Sequence, residues 1–122
     1  MMLQILKTKI KELTVSESSI NYPGSISLPD AILKASGIKQ FELVHVNNKT
    51  NGNRITTYAV RNKTQGSVTL NGAASHLFSK GDQIHVLAYA LLNEGECETF
   101  EPTLVITDRE NKVISAKTYS FD

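Results

Sequence analysis

The sequence has few of the residues that disulfide-linked and metal-binding proteins depend on. Cys97 is the only cysteine in 122 residues, so an internal disulfide is excluded. The three histidines, His45, His76 and His85, are scattered and show no HxH or HExxH spacing. A structural zinc site is ruled out by the single cysteine. No glycine-rich phosphate motif is present either. We therefore expect neither a metal nor a bound nucleotide.

Charge and hydrophobicity exclude further classes of protein. Thirteen basic and twelve acidic residues give a net charge of +1, which provides no strong electrostatic field to bind a nucleic-acid backbone. No apolar run approaches the ~20 residues that a membrane-spanning helix needs. Residues 1–15 carry lysines within their apolar pattern instead of the hydrophobic segment of a signal peptide. These absences favour a cytoplasmic protein without a nucleic-acid or membrane partner.

What the sequence does have is a series of short strand-like runs. With 40% hydrophobic and 20% charged residues, the chain fits one globular domain, residues 1–122. Frequent turn signals separate runs rich in Val, Ile, Thr and Tyr, which predict strands at 41–46, 54–60, 67–70, 83–91, 103–108 and 112–117. Two short helices are also expected, one with Pro29 at its first position and Gly37 after its end, the other with Asn71 as N-cap. The pattern predicts a mainly β domain, a small closed barrel with a few short helices.

The segment Pro23-Gly24-Ser25 allows two interpretations. Proline at the second and glycine at the third position are typical of a type II turn, and the spacing alone favours a turn without a chemical role. The same residues suit self-cleavage, because glycine leaves its carbonyl unshielded and the Ser25 hydroxyl can attack it. An N→O acyl shift, elimination and hydrolysis would then leave a pyruvoyl group at position 25.

The segment RITTYAV, residues 54–60, offers a second candidate site. Strand alternation places Arg54, Thr56 and Tyr58 on one face, and Ile55, Thr57 and Ala59 on the other. An ordinary sheet surface would explain this pattern. The functional interpretation gives Arg54 a bidentate carboxylate contact and Tyr58 a role as proton donor.

Two further segments have an ordinary structural explanation when taken alone. The run Gly72-Ala73-Ala74 at a helix start would let a ligand approach the backbone, but a capped short helix is the simpler interpretation. Lys9 could bind an anion, although a charged strand face explains it equally well.

Together, these segments resemble the aspartate 1-decarboxylase family, the pyruvoyl-dependent enzymes that make β-alanine for pantothenate synthesis. The resemblance rests on the order and separation of KIKELTVSESSINYPGSI, NGNRITTYAV, VTLNGAASH and KGDQIHVLAYA, and covers residues 2–92. It implies a six-stranded double-psi β-barrel and a homotetramer with active sites between neighbouring subunits. It also implies a proenzyme that cuts itself between Gly24 and Ser25, giving a β chain, 1–24, and an α chain, 25–122.

The resemblance further implies a reaction and a role for each residue. The amine of L-aspartate would form a Schiff base with the pyruvoyl ketone, which accepts electrons as CO2 leaves. The resemblance implies that Ser25 is the precursor of the cofactor and that Tyr58 donates a proton. Thr57 would assist processing and contact the substrate, and Asn71 would lie near the maturing bond. Lys9 and Arg54 would bind the substrate carboxylates, and the backbone of Gly72, Ala73 and Ala74 would surround the substrate.

Two residues depart from the pattern of the family, and two other functions stay open. Lys11 stands where many relatives carry histidine, and Pro23 precedes Gly24 where proline is unusual. The alternatives are a non-processing β-barrel homologue that acts as a binding module, and a pyruvoyl decarboxylase for another small acidic amino acid. An accessory maturation factor is a further partner to consider.

Overall fold

The computed structural model describes residues 1–21 and 23–121, and it confirms a mainly β fold. All six strands expected between residues 41 and 117 are found there with shifted ends, and three further strands precede them. The strands are β1 (Met2–Thr14), β2 (Glu17–Ser19), β3 (Ser25–Pro29), β4 (Leu43–Asn48), β5 (Arg54–Asn62), β6 (Thr69–Asn71), β7 (Gln83–Asn93), β8 (Thr103–Thr107) and β9 (Val113–Thr118). The helices are α1 (Asp30–Ser36), α2 (Glu94–Cys97) and a 3₁₀ helix (Gly72–Leu77).

The strands form one mixed sheet in the order β2-β6-β3-β5-β4-β7-β1-β8-β9. The pairs β1–β8, β2–β6 and β3–β5 are parallel, and the other neighbours are antiparallel. The longest ladder joins β1 to β7, from Met2 opposite Asn93 to Thr14 opposite Gln83, with two register shifts. Closure of this sheet into a double-psi barrel stays a prediction.

The side chains alternate between a dry and a polar face of the sheet, as the β-strand period of two requires. In β4, Val44 and Val46 are fully buried, while His45 between them is half-buried on the other side. The buried set forms the core: Ile10, Leu13, Val15, Ile26, Leu28, Ile32, Ile38, Val44, Val46, Ala59, Val68, Leu70, Phe78, Ile84, Val86, Ala88 and Val105. We call the opposite side the outer face; it carries Lys9, Arg54 and Tyr58 among the candidate site residues described below.

The helix ends correct one expectation and confirm another. Pro29 is the N-cap of α1, with ψ 156°, because β3 extends through it and the helix begins at Asp30. Gly37 ends α1 as expected, with φ 74°, and its N–H donates to the Leu33 carbonyl. The short helix α2 was not expected, although Asn93 and Glu96 form a capping box at its start.

Asn111 joins three separate segments through its buried side chain. Its Oδ1 accepts from the Thr14 N–H at 2.8 Å, and its Nδ2 donates to the carbonyls of Thr14 at 3.0 Å and Gly66 at 2.9 Å. Its φ of 62° is one that asparagine tolerates better than most residues. We expect Asn111→Ala to lower the free energy of unfolding by about 3 kcal/mol, measured by urea denaturation.

The exposed cap residue Asn93 provides the control for this substitution. Asn93→Ala removes one capping bond and should cost about 1 kcal/mol or less. Equal losses in the two variants would contradict the role given to Asn111.

None of the helices in the described ranges is long and apolar enough to cross a membrane.

Candidate active site

The bond between Gly24 and Ser25 lies where the chain enters β3. Ser25 is 2% exposed and has a φ of 145°, which L-residues rarely adopt, whereas Gly24 is exposed and lacks a positive φ. The expected type II turn is therefore wrong, since it requires the positive φ at Gly24. Tyr22, the first residue of that expected turn, lies outside the described residues. The backbone strain falls on the serine instead, and strain of this kind often marks a functional site.

A cavity of about 480 Å³ lies beside this bond on the outer face. Pro23, Gly24 and Ser25 line it together with Tyr58 and Asn71. The strand register explains the grouping. Ser25 is directly opposite Asn71 in β6, and the pairing of the next residue, Ile26, with Ala59 places Ser25 level with Tyr58 in β5. The structure thus brings the sequence-predicted cleavage site, proton donor and asparagine to one place.

Tyr58 and its neighbour Thr57 point to opposite sides of β5. Tyr58 is 37% exposed, and its ring lies 6.2 Å from that of Phe41, which also lines the cavity. Thr57 is paired with the buried Val44 and does not line the cavity. The predicted alternation along β5 is confirmed, and it separates the two residues that the resemblance places at the same site.

Asn71 occupies the predicted N-cap position of the 3₁₀ helix but does not cap it with its side chain. Its Oδ1 accepts instead from Thr69 Oγ1 at 3.3 Å, which turns the amide towards the cavity side of β6. The Gly72-Ala73-Ala74 run follows in the 3₁₀ helix, outside the cavity lining. Gly72 has a φ of 65°, a conformation that favours glycine where the strand turns into the helix.

Arg54 and Lys9 lie on the outer face but away from the cavity. Arg54 is four residues before Tyr58 in β5, a distance of about 13 Å along a strand. Its Nη2 lies 2.6 Å from His45 Nδ1 and 3.2 Å from Tyr89 Oη. Lys9 pairs with Leu87 in β7, and its Nζ lies 5.8 Å from the centre of the Tyr119 ring. One subunit therefore does not bring either cation to Ser25.

Two buried polar atoms between these cations lack hydrogen-bond partners among the described residues, His85 Nε2 and Asn47 Oδ1. The two residues are directly opposite in β7 and β4. Burial lowers the pKa of His85, the charge of Lys9 lowers it further, and Lys49 and Lys11 add to this, while Glu12 opposes them. His85 Nε2 lies 3.7 Å from Glu12 Oε1, but the two side chains do not form an ion pair at neutral pH, because the lowered pKa leaves His85 uncharged there.

The lowered pKa of His85 predicts a pH dependence of stability. The unfolded chain binds a proton near pH 6.5, but the folded chain binds it only at lower pH. The free energy of unfolding should therefore fall as the pH drops from 6.5 through the folded pKa. His85→Gln should lose this contribution to stability. The free energy of unfolding in urea should therefore decrease less in the variant than in the wild type between about pH 7 and about pH 5.

His76→Gln, at an exposed position, is the matched control and should keep the wild-type pH dependence. An unchanged slope in His85→Gln would contradict the assignment. Glu12 contributes to the pH dependence of stability in a separate, more acidic range. Burial raises the pKa of Glu12, but Lys49, His85 and Lys11 outweigh this and hold it below 4.5.

The described residues contain no group of three or more His, Cys, Asp or Glu side chains that could hold a metal ion. They do contain polar residues of the cavity that sequence reasoning missed, among them the cations Arg61 and Lys63 and the uncharged residues Ser27, Asn62 and Thr69. For Ser27 and Thr69 the only signal was the alternation of polar residues with Ile26 and Leu70, which any half-buried strand can show.

The sequence is similar to one family model and to several curated proteins. A family model described as Aspartate decarboxylase matches residues 1–114. The curated aspartate 1-decarboxylase of Stenotrophomonas maltophilia (strain K279a) is 45% identical over 93% of this chain and 90% of its own length. The proteins of the same name from Campylobacter jejuni (strain RM1221) and Caldicellulosiruptor bescii are 40% and 42% identical. These alignments cover 98% and 93% of this chain, and 94% and 90% of the relatives.

Proposed function

Because the chain belongs to the aspartate decarboxylase family, we propose that it converts L-aspartate to β-alanine and CO2 after cutting its own Gly24–Ser25 bond. The observation that carries the proposal is the meeting of a strained, buried Ser25 with Tyr58 and Asn71 at one cavity. In this site the chain supplies the nucleophile for the cut, a phenol as acid and an amide as hydrogen-bond donor or acceptor. The proposed setting is the cytoplasm.

The backbone at Ser25 favours the cut for a conformational reason. A φ of 145° is unfavourable for serine, and hydrolysis or acyl transfer separates the Ser25 nitrogen from the Gly24 carbonyl carbon, one of the four atoms that define this φ. The strain is therefore present in the uncut chain and absent after cleavage. If about 1–3 kcal/mol of this strain is released as the Gly24–Ser25 bond breaks, the activation free energy of the cut would be lower by up to that amount.

The residues around position 25 fit a pyruvoyl group formed from Ser25. Ser25 itself is buried, and the cavity of about 480 Å³ beside it has room for a small amino acid. Bound there, the pyruvoyl ketone would supply covalent attachment for the substrate amine and an electron sink for the loss of CO2. Tyr58 would then deliver the proton that replaces the carboxylate.

The substrate carboxylates need cations, and neither Arg54 nor Lys9 lines the cavity of one subunit, where the cationic lining residues are Arg61 and Lys63. Arg54 and Lys9 lie on the outer face, where a second copy of the chain could present them across a subunit boundary. An always-charged guanidinium suits a dianionic substrate. We include a homotetramer with sites between neighbouring subunits in the proposal. Thr57 and the Gly72-Ala73-Ala74 backbone, which do not line the cavity of one subunit, would complete the substrate contacts in that assembly.

Intact-mass measurement under denaturing conditions tests the processing. We expect two fragments, residues 1–24 and 25–122, with the larger one lighter by one ammonia than its serine-started sequence. The loss of ammonia reports conversion of Ser25 to the ketone, whereas simple hydrolysis would keep the amine. A chain that stays whole after prolonged warm incubation would contradict self-processing of the isolated protein and favour the binding-module alternative, or a need for a maturation factor.

Release of CO2 then tests the substrate. Aspartate should be decarboxylated much faster than glutamate, since one extra methylene displaces the second carboxylate from its cation. Faster turnover of glutamate would favour the alternative of a pyruvoyl decarboxylase for another acidic amino acid.

A further inference from the structure

A chain of four polar side chains runs across three neighbouring strands beside the cavity. Asn62 Nδ2, at the end of β5, donates to Ser27 Oγ in β3 at 3.1 Å. Ser27 Oγ is hydrogen-bonded to Thr69 Oγ1 in β6, and Thr69 Oγ1 donates to Asn71 Oδ1 at 3.3 Å. All four residues line the cavity that contains Ser25. The proposed reaction gives no part to Asn62, Ser27 or Thr69.

A backbone N–H group determines which atom of Asn62 donates and which accepts in this series of hydrogen bonds. The backbone N–H of Thr64 lies 2.9 Å from Asn62 Oδ1. A backbone N–H can only donate, so the oxygen of the Asn62 amide must face it. The amide nitrogen of Asn62 therefore faces Ser27, and Ser27 Oγ accepts that hydrogen bond.

The donor and acceptor roles of the two hydroxyl groups, those of Ser27 and Thr69, follow from this. Ser27 is 6% exposed, so its own proton needs an acceptor within the protein, and Thr69 Oγ1 lies within reach. Thr69 accepts from Ser27 and has one proton left, which it donates to Asn71. Asn71 must receive it with Oδ1, since its amide nitrogen has no lone pair to accept. The orientation of the Asn71 amide is thus set from Thr64, through four consecutive hydrogen bonds.

The consequence lies at the cleavage site. Asn71 and Ser25 are directly opposite in an antiparallel pair, where Cβ atoms are about 4.5–5.5 Å apart. With its oxygen held by Thr69, Asn71 has its two N–H groups left for Ser25 and the Gly24 carbonyl. We propose that Thr69, supported by Ser27 and Asn62, is a positioning residue that turns the Asn71 NH2 group towards the Gly24–Ser25 bond. This inference rests on the proposed self-cleavage.

The chemistry of the cut explains why this orientation matters. Ser25 Oγ forms a bond to the Gly24 carbonyl carbon, the bond from that carbon to the Ser25 nitrogen breaks, and the Oγ proton ends on that nitrogen. Negative charge builds on the Gly24 oxygen between these events. An N–H donor stabilises this charge, whereas an amide oxygen in the same place would repel it.

The test is the time course of cleavage in freshly synthesised chains, followed by intact mass. Thr69→Val keeps the shape but removes the proton donor to Asn71, and should slow cleavage by about tenfold or more. Thr69→Ser keeps the hydroxyl and should cleave within about twofold of the wild type.

Thr107→Val is the matched control, because Thr107 is also buried and its Oγ1 donates to the Lys11 carbonyl at 2.8 Å, away from the cavity. It should lower the thermal midpoint and leave the cleavage rate unchanged. Wild-type cleavage in Thr69→Val, or equal slowing in Thr107→Val, would overturn the positioning role.

A second measurement reads the orientation without any cleavage. In the uncleavable Ser25→Ala chain, NMR cross-relaxation from the Asn71 side-chain NH2 should reach the methyl group at position 25. Contacts to the Thr69 methyl group alone would overturn the proposal. A wild-type chain that stays uncut would contradict self-cleavage, yet this NMR result would still decide how Asn71 is oriented.

Discussion

Ser25→Ala is expected to leave the chain whole and to abolish decarboxylation. The substitution removes the only atom of residue 25 that can attack the Gly24 carbonyl, so no acyl shift can begin. It also removes the source of the ketone, and without an electron sink the carbanion left by CO2 is too high in energy. Activity should fall by about 10⁴-fold or more. Intact mass and CO2 release measure the two effects on one sample.

Ser67→Ala is the matched control, since Ser67 lines the same cavity without lying beside the scissile bond. It should mature and turn over at close to the wild-type rates. If Ser25→Ala were cut, the bond broken would have to lie elsewhere; if it stayed whole but decarboxylated aspartate, the pyruvoyl group would be excluded as the source of activity.

Tyr58→Phe is expected to separate maturation from catalysis. The ring would keep its packing near Phe41, where the two centres are 6.2 Å apart, so the cavity should keep its shape. Loss of the hydroxyl removes the proposed donor of the proton that replaces the carboxylate. We expect kcat to fall by about 10²–10⁴-fold while cleavage into residues 1–24 and 25–122 proceeds as in the wild type.

Tyr119→Phe provides the control, because it deletes the same hydroxyl outside the cavity and keeps the ring that faces Lys9 and Phe121. Its turnover should match the wild type. Near-normal turnover of Tyr58→Phe would remove Tyr58 from the role of proton donor, and a failure of that variant to cut would mean that the phenol serves the maturation step.

Local pattern was enough to predict much of the sheet, but not the bounds of its first three strands. Alternation along β5 correctly placed Arg54, Thr56 and Tyr58 on one face, because the strand period depends only on the backbone. A charged strand face was one explanation of Lys9, but the bounds of β1 were not predicted, since its lysines interrupt the apolar pattern and lie on the outer face, where charge is tolerated. β2 has three residues and is defined by its partner β6, which no local pattern reveals.

Four of the site residues named from the sequence lie together in the structure, whereas Lys9, Arg54, Thr57 and the Gly72-Ala73-Ala74 run lie outside the cavity lining. Gly24, Ser25, Tyr58 and Asn71 were named from the sequence, and the structure groups them. The positive φ was expected at Gly24 and is found at Ser25, because pairing with β6 and β5, not intrinsic preference, determines the backbone there. The distance of Arg54 and Lys9 from the cavity depends on strand order, which spacing along the chain does not contain.

The place of β1 in the sheet has a consequence for the cut protein. β1 lies between β7 and β8, so the proposed fragment 1–24 contributes an inner strand rather than a detachable tail. Cutting at Gly24 would turn one chain into two that share a single sheet. Folding of the uncut chain is unimolecular, but refolding of the separated fragments must begin with their encounter and so depends on concentration. The native arrangement is then reached efficiently only once, before the cut, and afterwards the long ladder between β1 and β7 keeps the fragments together.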